Sequence, residues 1–594
     1  MRKPELLMPG GNLLQAATAL ENGADAVYVG GPAFNARLRA QNLKLEEIAG
    51  LVKHAENGGK RVFATMNTLV RDTAFENALS FLEDLYSTGA HGVIVQDLGL
   101  MHAATQLFPD WRVHASTQCT AHNSAGVRFL ESVGAKRVIL ARELSLDEIS
   151  GIRKHAKCEL ESFVHGALCY SLSGQCLFSS FAFRRSANQG MCAQPCRLYY
   201  SSKDREGFLL SLNDLFLGAD AAKLFGLVDS LKVEGRLKSA EYAGAVARFY
   251  RKVIDGIELT RQDYDDVFLA YNRGFSKGYF DGTPGFSKYP YSLGLPAGNT
   301  DERGALMLEA RIAVGDILSI AGRERRDFVV QRMSVDGHGT VVAAAGKARF
   351  DFPLPPNSKV FLTQSKSLSR LLAKRLPLPA KPARPLPAGY AAARCKFLDE
   401  PKKYPKAPFS EKQALHFASG KLEPLGFADT LPFMTDAEVD AMPKKVFARN
   451  LGAYEACTEC VAGPELNISN RYSARLLPKA QFIVPSLELT RRELVSLAEY
   501  APLALYVYGR VRLTVSRSPA PRPLSDRKGF QYETEKRGGL YYVYNPFPLS
   551  LLGEKKKFGN SAIRALLFEK MDSYAREFLA RGESKVPRAT KGWF

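Results

Sequence analysis

Four cysteines lie close together in the middle of the chain, at a spacing that could do chemistry. Cys169, Cys176, Cys192 and Cys196 form the pattern C-x6-C-x15-C-x3-C. Thiolates that converge on one point can bind a tetrahedral zinc ion or wrap an iron–sulfur cluster, because both need soft anionic sulfur. The wide spacing lacks the short C-x2-C knuckle of structural zinc and favours a larger ligand such as a cubane cluster. Ordinary buried thiols are the alternative interpretation.

Arginines accompany these cysteines, since Arg184, Arg185 and Arg197 lie between or beside them. Their charge would offset that of thiolates and of a bound cluster. A separate pair, Cys457 and Cys460, forms C-x-x-C. No second pair lies near it in the sequence, so a zinc site there has little support.

Composition bounds the class of protein. The chain has 594 residues, with 81 lysines and arginines against 61 acidic residues and a net charge of +20. Such an excess indicates a polyanionic partner, most simply RNA, although a basic protein can also be merely a soluble one. The N-terminus has no uninterrupted apolar segment, and no run of about eighteen apolar residues occurs. We therefore expect a cytoplasmic protein with reduced cysteines and no membrane contact.

Short β-like runs alternate with helix-like segments over the first half of the chain. Strands at ~25-residue intervals separated by helices form parallel βα units, and eight of them make a (β/α)8 barrel. The alternative is a doubly wound open sheet, but no G-x-G-x-x-G follows the first strand. The sequence therefore predicts a TIM-like barrel. Its predicted strands are residues 5–9, 26–31, 61–68, 92–97, 112–119, 137–143, 159–169 and 230–239.

Polar residues stand at the ends of these strands, where active sites form in such barrels. Alternation puts Lys232, Glu234 and Arg236 on one face of the last strand. As a group the polar residues indicate a small anionic, carboxylate-bearing ligand, while an internal salt-bridge set explains any single one equally well. The catalytic candidates are Glu161, His165, Lys232, Glu234, Arg236, Asn67, Gln96 and His114. Further polar residues expected at the same mouth are Glu5, Asn12, Tyr28, Asn35, Arg37, Asp97 and Glu143.

The remainder of the chain divides by composition and by an internal repeat. Residues 300–365 show short strands with glycine turns, and residues 376–390 are proline-rich. In the last third Asn470 aligns with Asn123 and Glu488 with Glu143, but the cluster cysteines have no counterpart. We interpret this copy as a degenerate module for packing or substrate binding. The predicted domains are a catalytic barrel at 1–285, a small β-barrel domain at 286–368, a proline-rich linker with an unassigned segment at 369–440, and a degenerate half-barrel repeat with a basic tail at 441–594.

The run FVHGALCYSLSGQC, together with ELLMPGGNLLQAATALENGADAVYVGG and LKVEGRLKS, resembles the family historically called collagenase-like peptidases. The resemblance covers about residues 1–285 and is weaker beyond them. It implies relatives that are oxygen-independent hydroxylases of a tRNA wobble uridine or an rRNA cytidine with a requirement for prephenate, and a branch that hydroxylates the ubiquinone ring. It also implies a [4Fe-4S] cluster on Cys169, Cys176 and Cys192. The fourth cysteine, Cys196 here, differs in position among branches.

Three functions follow as hypotheses. The first is an RNA base hydroxylase with a cluster and a small carboxylate co-substrate, closest in length to the rRNA branch. The second is a peptidase in which His165 activates Cys169 as a nucleophile, although no third orienting residue is identifiable. The third is a non-catalytic RNA-binding factor, which fits the charge and the small β domain.

Overall fold

The computed structural model describes residues 3–322, 325–401, 403, 413–418, 421–551, 563 and 565–568. Eight strands pair side by side in parallel in the order β11-β1-β2-β3-β4-β5-β6-β7, and β7 also pairs with β11, which closes the ring. These eight correspond to the eight predicted segments, so the predicted TIM-like barrel is confirmed. The strands of this region are β1 (Glu5–Gly10), β2 (Ala26–Gly30), β3 (Arg61–Met66), β4 (Gly92–Val95), β5 (Arg112–Ala115), β6 (Arg137–Ile139), β7 (Glu159–Gly166), β8 (Tyr200–Ser201), β9 (Glu206–Gly207), β10 (Asp214–Phe216), β11 (Ser230–Val233) and β12 (Phe275–Ser276).

Helices cover the outside of the barrel, and most of them begin at a polar cap. Asn12, Asp97 and Asn123 each accept a hydrogen bond from a backbone N–H of the first helical turn that follows. Ser145 and Glu148 form the predicted capping box. The helices are α1 (Leu13–Glu21), α2 (Leu45–Glu56), α3 (Phe75–Ser87), α4 (Leu98–Leu107), α5 (Ser124–Val133), α6 (Leu146–His155), α7 (Phe178–Phe183), α8 (Ala240–Asp255) and α9 (Arg261–Ala270).

An antiparallel β region follows the barrel, as the sequence predicts. Its main sheet has the strand order β17-β16-β22-β13-β14-β21-β18-β19 and surrounds a separate apolar core that includes Leu306, Leu318 and Val360. The strands are β13 (Leu295–Thr300), β14 (Leu306–Leu308), β15 (Ile312–Ala313), β16 (Ile317–Ile320), β17 (Arg326–Val329), β18 (Met333–Val335), β19 (His338–Thr340), β20 (Val342–Ala343), β21 (Lys347–Phe350) and β22 (Lys359–Gln364).

The proline-rich segment lies along the barrel helices rather than spanning free space. Ala380 N donates to Glu46 O (2.8 Å), and Arg384 forms an ion pair with Asp110 (2.6 Å). The segment leads into helix α10 (Tyr390–Asp399), whose Phe397 ring packs against the barrel. The predicted linker therefore lies against the barrel surface on its way to the C-terminal part.

The C-terminal part contains the predicted repeat. Its main sheet has the order β28-β27-β26-β25-β24-β23-β36-β29-β35, and a parallel bridge between Ile483 and Leu503 brings β28 beside the start of β29. The helices are α11 (Asp436–Ala441), α12 (Leu451–Ala456), α13 (Arg471–Ala474) and α14 (Arg491–Ala498). The strands are β23 (Gln413–Ala418), β24 (Lys421–Glu423), β25 (Phe427–Asp429), β26 (Lys445–Ala448), β27 (Glu459–Ala462), β28 (Ala480–Ile483), β29 (Ala504–Gly509), β30 (Arg512–Ser516), β31 (Leu524–Asp526), β32 (Gln531–Tyr532), β33 (Thr534–Arg537), β34 (Leu540–Tyr544), β35 (Leu549–Ser550) and β36 (Ala565–Phe568).

The repeat packs on the barrel with approximate two-fold symmetry. Asn470 caps α13 as Asn123 caps α5, and Thr490 with Glu493 forms a capping box on α14 as predicted. Helix α4 contacts α13, and α5 contacts α12. Since α12 and α13 follow β26 and β27 as α4 and α5 follow β4 and β5, each helix meets the copy of its neighbour, as in an isologous interface.

The basic C-terminal tail predicted from the sequence lies outside the described residues. None of the helices in the described ranges combines the length and the apolar character that a transmembrane segment requires.

Candidate active site

The four cysteines surround one cavity at the carboxyl end of the barrel strands. The cavity has a volume of ≈ 230 Å³, and all four line it. Strand β7 ends at Gly166, shortly before Cys169, and the chain then crosses the mouth of the barrel, where Asn188 O accepts from Leu69 N (3.0 Å). The predicted site residues that line the same cavity are Cys169, Cys176, Cys192, Cys196, Asn67, Lys232, Glu234 and Arg236.

The protein surroundings favour the protonated thiol at Cys169, Cys176 and Cys196. Cys169 is exposed to the cavity, but desolvation by the protein around it, followed by Cys196 and Cys192, raises the pKa of its thiol to about 12. Burial, followed by Cys169 and Cys192, raises the pKa of Cys176 well above its ordinary value. The sulfurs therefore lie close enough to repel one another as thiolates. A ligand that holds all of them ionised must itself be positively charged, as the iron core of a cluster is.

The cysteines do not form a compact site for one metal ion. Within the described ranges, no three His, Cys, Asp or Glu side chains are placed to bind a single ion. A tetrahedral zinc site, the first alternative from the sequence, is therefore not supported here or at Cys457 and Cys460, which are buried in the core. An iron–sulfur cluster makes a different demand, because each cysteine binds its own iron at the edge of a larger core.

The C-terminal repeat holds the cysteine segment in place through backbone hydrogen bonds. Leu172 N donates to Val515 O (2.7 Å), and Leu177 N donates to Leu513 O (2.8 Å). Both acceptors belong to strand β30, and the two donors flank Cys176. Strand β8, which follows Cys196, pairs with β31 of the repeat. The segment is thus fixed between the barrel and its copy.

Two equivalent glutamates accept hydrogen bonds from the cysteine segment. Glu143 of the barrel accepts from Ser173 N (3.1 Å), and burial raises the pKa of its carboxyl to about 7. Glu488, its counterpart in the repeat, accepts from the hydroxyl of Ser180 and from Asn188 Nδ2 (2.9 Å). The two glutamates that align in the sequence therefore have the same structural role, since both accept hydrogen bonds from the cysteine segment.

Positive charge dominates the wall of the cavity. Its acidic lining residue is Glu234, whose carboxylate accepts from Arg37 Nη2 (2.8 Å) and lies 3.7 Å from Arg142 Nη2. Burial alone would raise the pKa of Glu234, but Arg37 and Arg142 outweigh burial and hold it at about 2. A cavity with this balance suits an anion. The basic lining residues are Arg37, Arg39, Arg142, Arg197, Lys232, Arg236 and Arg273.

Glu161 and Glu5 lie below the cavity, inside the barrel, which corrects their expected position at the mouth. Glu161 is fully buried and receives Lys232 Nζ (2.7 Å) and Arg137 Nη1 (3.0 Å). Arg137 also pairs with Glu5 (2.6 Å). This is the internal salt-bridge set considered from the sequence, because each buried charge has an opposite charge within hydrogen-bonding distance.

The three remaining candidates do not line this cavity in the part of the chain that the structure describes. His165 is enclosed by aromatic rings, with Phe216 at 5.4 Å, and burial lowers its pKa to about 3. His114 packs on Phe63 (4.6 Å), and burial lowers its pKa well below the usual value. Gln96 is buried beside the C-terminal repeat. Their proposed catalytic roles stay predictions.

Other arginines of the cavity were not among the catalytic candidates. Arg142 lies in the strand-end segment 137–143, so its position in the barrel pattern could have identified it. Its guanidinium lies 4.2 Å from the centre of the Phe163 ring and donates to Ala167 O (2.9 Å). Arg273 follows helix α9 and pairs with Asp214 (2.5 Å), and no local pattern in the sequence signals its approach to the barrel mouth.

Comparison with known proteins identifies the family. Residues 11–289 match Peptidase family U32. The "tRNA hydroxylation protein P1" of Bacillus subtilis (strain 168) is 34% identical over 308 residues, which cover 48% of this chain and 73% of that protein. The chain belongs to Peptidase family U32.

Two further relatives carry different names. The "23S rRNA 5-hydroxycytidine C2501 synthase" of Escherichia coli (strain K12) is 38% identical over 319 residues, which cover 50% of this chain and 48% of that protein. The alignment thus spans about half the length of this family member. An uncharacterized protease of Methanocaldococcus jannaschii is 38% identical over 299 residues, which cover 46% of this chain and 72% of that protein.

Among solved structures, the U32 peptidase Mk0906 matches with a TM-score of 0.29 and 17% identity, covering 40% of this chain and 94% of that one. A likeness at this level supports no inference about the site. The assignment of the fold therefore depends on the strand pairing of the chain itself.

Proposed function

We propose that this chain is an iron–sulfur-dependent hydroxylase that modifies a base of rRNA or tRNA without molecular oxygen. The observation that carries the proposal is the meeting of four cysteines and a set of arginines around one cavity at the barrel mouth. Family members named for rRNA and tRNA hydroxylation support the same reaction class. An RNA substrate also agrees with the net charge of +20, and the proposed reaction would take place in the cytoplasm.

Cys169, Cys176, Cys192 and Cys196 would hold a [4Fe-4S] cluster in this proposal. When bound, the cluster would supply one-electron redox chemistry at the wall of the cavity. The chain provides the rest of the environment. Hydrogen bonds that the cysteine segment donates to β30 fix the segment that carries the thiols, and Arg142 and Arg197 would offset negative charge at the cavity wall.

The basic side chains of the cavity would bind a small carboxylate co-substrate, for which prephenate is the candidate. Arg37 and Arg142 are both oriented by Glu234, which remains ionised at neutral pH because its pKa is held at about 2. Arg236 is fixed by Asn35 Oδ1 (2.8 Å) and lines the same cavity. Guanidinium groups that are already oriented lose little entropy when they bind a carboxylate in a bidentate manner.

A peptidase is the second candidate function, because one relative is named a protease. A Cys–His nucleophile requires a histidine that can take the thiol proton. His165 is a poor base, since its pKa is about 3 and aromatic rings surround it. The geometry therefore favours the hydroxylase, and a non-catalytic RNA-binding role leaves the four converging cysteines without a purpose.

The test is the nucleoside content of RNA from a strain that lacks this protein. Mass spectrometry of digested rRNA and tRNA should show the loss of one hydroxylated pyrimidine, restored by the wild-type chain and not by Cys169→Ala. Cys395→Ala is the matched control, because Cys395 is exposed and does not line the cavity. Unchanged nucleosides, with proteolytic activity that Cys169→Ala abolishes, would replace the hydroxylase by the peptidase.

A further inference from the structure

A second and larger cavity lies on the surface beside the cysteine cavity. This groove has a volume of ≈ 1000 Å³. Its walls come from the end of α7, the residues after Cys196, the β31–β32 turn and residues 545–549. It combines exposed aromatic rings with basic side chains, and nothing in the proposed hydroxylation at the cysteine cavity accounts for it.

The exposed phenylalanines of the described residues all line this groove. Phe183 is 41% exposed, Phe530 is 41% exposed and Phe547 is 44% exposed. Phe530 and Phe547 are in edge-to-face contact, with ring centres 5.7 Å apart. Large apolar side chains are usually buried, so a group of exposed rings at one place indicates a binding surface.

The turn that presents Phe530 is rigidly built. Asp526 Oδ1 accepts from Lys528 N (2.9 Å) and from Phe530 N (3.1 Å), and its Oδ2 accepts from Tyr532 Oη (3.0 Å). Gly529 supplies the positive φ of 80° that the turn requires, with open space around it. The backbone that carries Phe530 is therefore held in position before any ligand arrives.

Basic residues surround these rings. Arg184, Arg527 and Lys528 are exposed and line the groove. The Arg527 guanidinium lies 5.3 Å from the centre of the Tyr199 ring, in cation–π contact. Rings that can stack on bases, next to cations that can contact phosphates, form the combination that binds unpaired nucleic acid.

The groove lies next to the cysteine cavity. Arg197 lines both cavities. Helix α7 begins two residues after Cys176 and carries Phe183 at its other end. Strand β31, which leads into the turn with Phe530, pairs with β8 just after Cys196. An RNA chain lying in the groove would therefore be a neighbour of the cysteine cavity.

We propose that this groove binds the unpaired RNA segment next to the target nucleotide, with bases stacked on Phe183, Phe530 and Phe547 and phosphates at Arg527 and Lys528. The proposal rests on the proposed RNA hydroxylase function. It assigns much of the substrate-binding surface to residues outside the barrel. The degenerate repeat then has a role of its own, because it supplies the turn with Phe530 and the segment with Phe547 while the barrel carries the cysteine site.

The probe is a fluorescein-labelled single-stranded RNA of about twelve nucleotides, measured by fluorescence anisotropy on the full chain, with the same sequence as a duplex for comparison. The single strand should bind more tightly than the duplex. Phe530→Ala and Phe547→Ala should each weaken binding by about fivefold to a hundredfold, the usual loss for one base–aromatic stack. Ile257→Ala is the control, since Ile257 is 54% exposed and lies outside the groove.

A leucine variant separates stacking from simple apolar contact. Phe530→Leu keeps most of the apolar area but lacks a π face, so it should weaken RNA binding nearly as much as alanine does. Phe530→Trp should retain binding. Joint replacement of Arg527 and Lys528 by alanine should lower the salt dependence of log K by about 0.7 for each phosphate that these side chains neutralise in the wild-type complex.

Three results would overturn the proposal: equal affinity for single strand and duplex, wild-type affinity in the Phe530→Ala and Phe547→Ala variants, or full RNA affinity in Phe530→Leu, which would show that the ring does not act by stacking on a base. The outcome is separate from that of the proposed function. A chain that binds single strands through the groove but alters no nucleoside contradicts the hydroxylase alone. A chain that hydroxylates RNA, but whose RNA affinity does not change in the groove variants, contradicts this inference alone.

Discussion

Exchanging Asn470 for aspartate would place two carboxylates in contact where the repeat meets the barrel. Asn470 is fully buried, and its Nδ2 donates to Asp97 Oδ2 (2.8 Å) and to Val70 O (2.7 Å). Asn470→Asp replaces this donor by an acceptor of nearly the same shape. Asn470→Ala is the matched control, because it removes the same hydrogen bonds without adding charge.

Two buried carboxylates at this distance repel by about 6 kcal/mol at an effective dielectric constant of ~20. Uptake of one proton by the pair removes this repulsion. The cost is then that of protonating a carboxyl whose pKa in the unfolded chain is near 4, which is about 4 kcal/mol at pH 7 and about 1.4 kcal/mol at pH 5. The shared proton also restores one hydrogen bond to Asp97. We therefore expect Asn470→Asp to lower the free energy of unfolding by about 4 kcal/mol at pH 7, and by much less at pH 5.

The assay is thermal unfolding together with hydrogen exchange of α4 and α13 at pH 5, 6 and 7, each compared with the wild-type chain at the same pH. The difference between Asn470→Asp and wild type should shrink by roughly 1.4 kcal/mol for each unit of acidification. The difference for Asn470→Ala should stay nearly constant. The same pH dependence in both variants, or a loss below about 1 kcal/mol at pH 7, would refute the account of this interface.

Three further predictions address the interface, the segment and the cavity. His122 Nε2 accepts from Met434 N (3.1 Å), and burial lowers the pKa of His122 to about 4. Because this hydrogen bond needs the neutral imidazole, the contribution of His122 to stability should be complete above pH ~6.5 and smaller by about 2 kcal/mol at pH 5. Thermal unfolding should show a smaller loss between these pH values in His122→Gln. Glu488→Ala removes the acceptor of two bonds to the cysteine segment, so iron transfer to a chelator should become several-fold faster than in wild type; an unchanged rate would contradict the supporting role. Arg142→Gln should weaken prephenate binding in calorimetry by about tenfold or more, since bonds to charged groups contribute ~1.5–3 kcal/mol, whereas the surface variant Lys53→Gln should bind as wild type does.

The barrel could be predicted from the sequence because its signals are local. Each predicted strand is a short apolar run followed by polar residues, and the eight runs correspond to the eight barrel strands. The capping boxes at Ser145 and Thr490 were readable for the same reason, since the residues that form each box are three positions apart. Periodicity and capping need no knowledge of distant contacts.

The position of individual side chains in the site was only partly predictable. Residues just past a strand, such as Asn67 and Glu234, line the cavity as expected. The surroundings of residues within a strand could not be predicted from the pattern. Glu161 lies inside the barrel, where it pairs with Arg137, whereas His165 packs against aromatic rings that include Tyr250 of helix α8. Burial of a charge is decided by those distant partners, such as Arg137 for Glu161.

The role of the repeat could not be foreseen from its sequence. Alignment of Glu488 with Glu143 indicated a common origin, but not that both carboxylates would accept hydrogen bonds from the cysteine segment. The exposed rings of Phe530 and Phe547 also have no sequence signature, because they belong to separate segments of the chain that meet only in the folded structure.

The iron content of anaerobically purified protein tests the central claim most directly. The account predicts about four irons and a matching amount of sulfide per chain, with absorbance near 400 nm. Alanine at Cys169, Cys176 or Cys192 should remove most of this iron, and Cys395→Ala should keep it. An iron-free wild-type chain after reconstitution with iron and sulfide, or full iron in the three cavity variants, would contradict the claim that these cysteines bind one cluster.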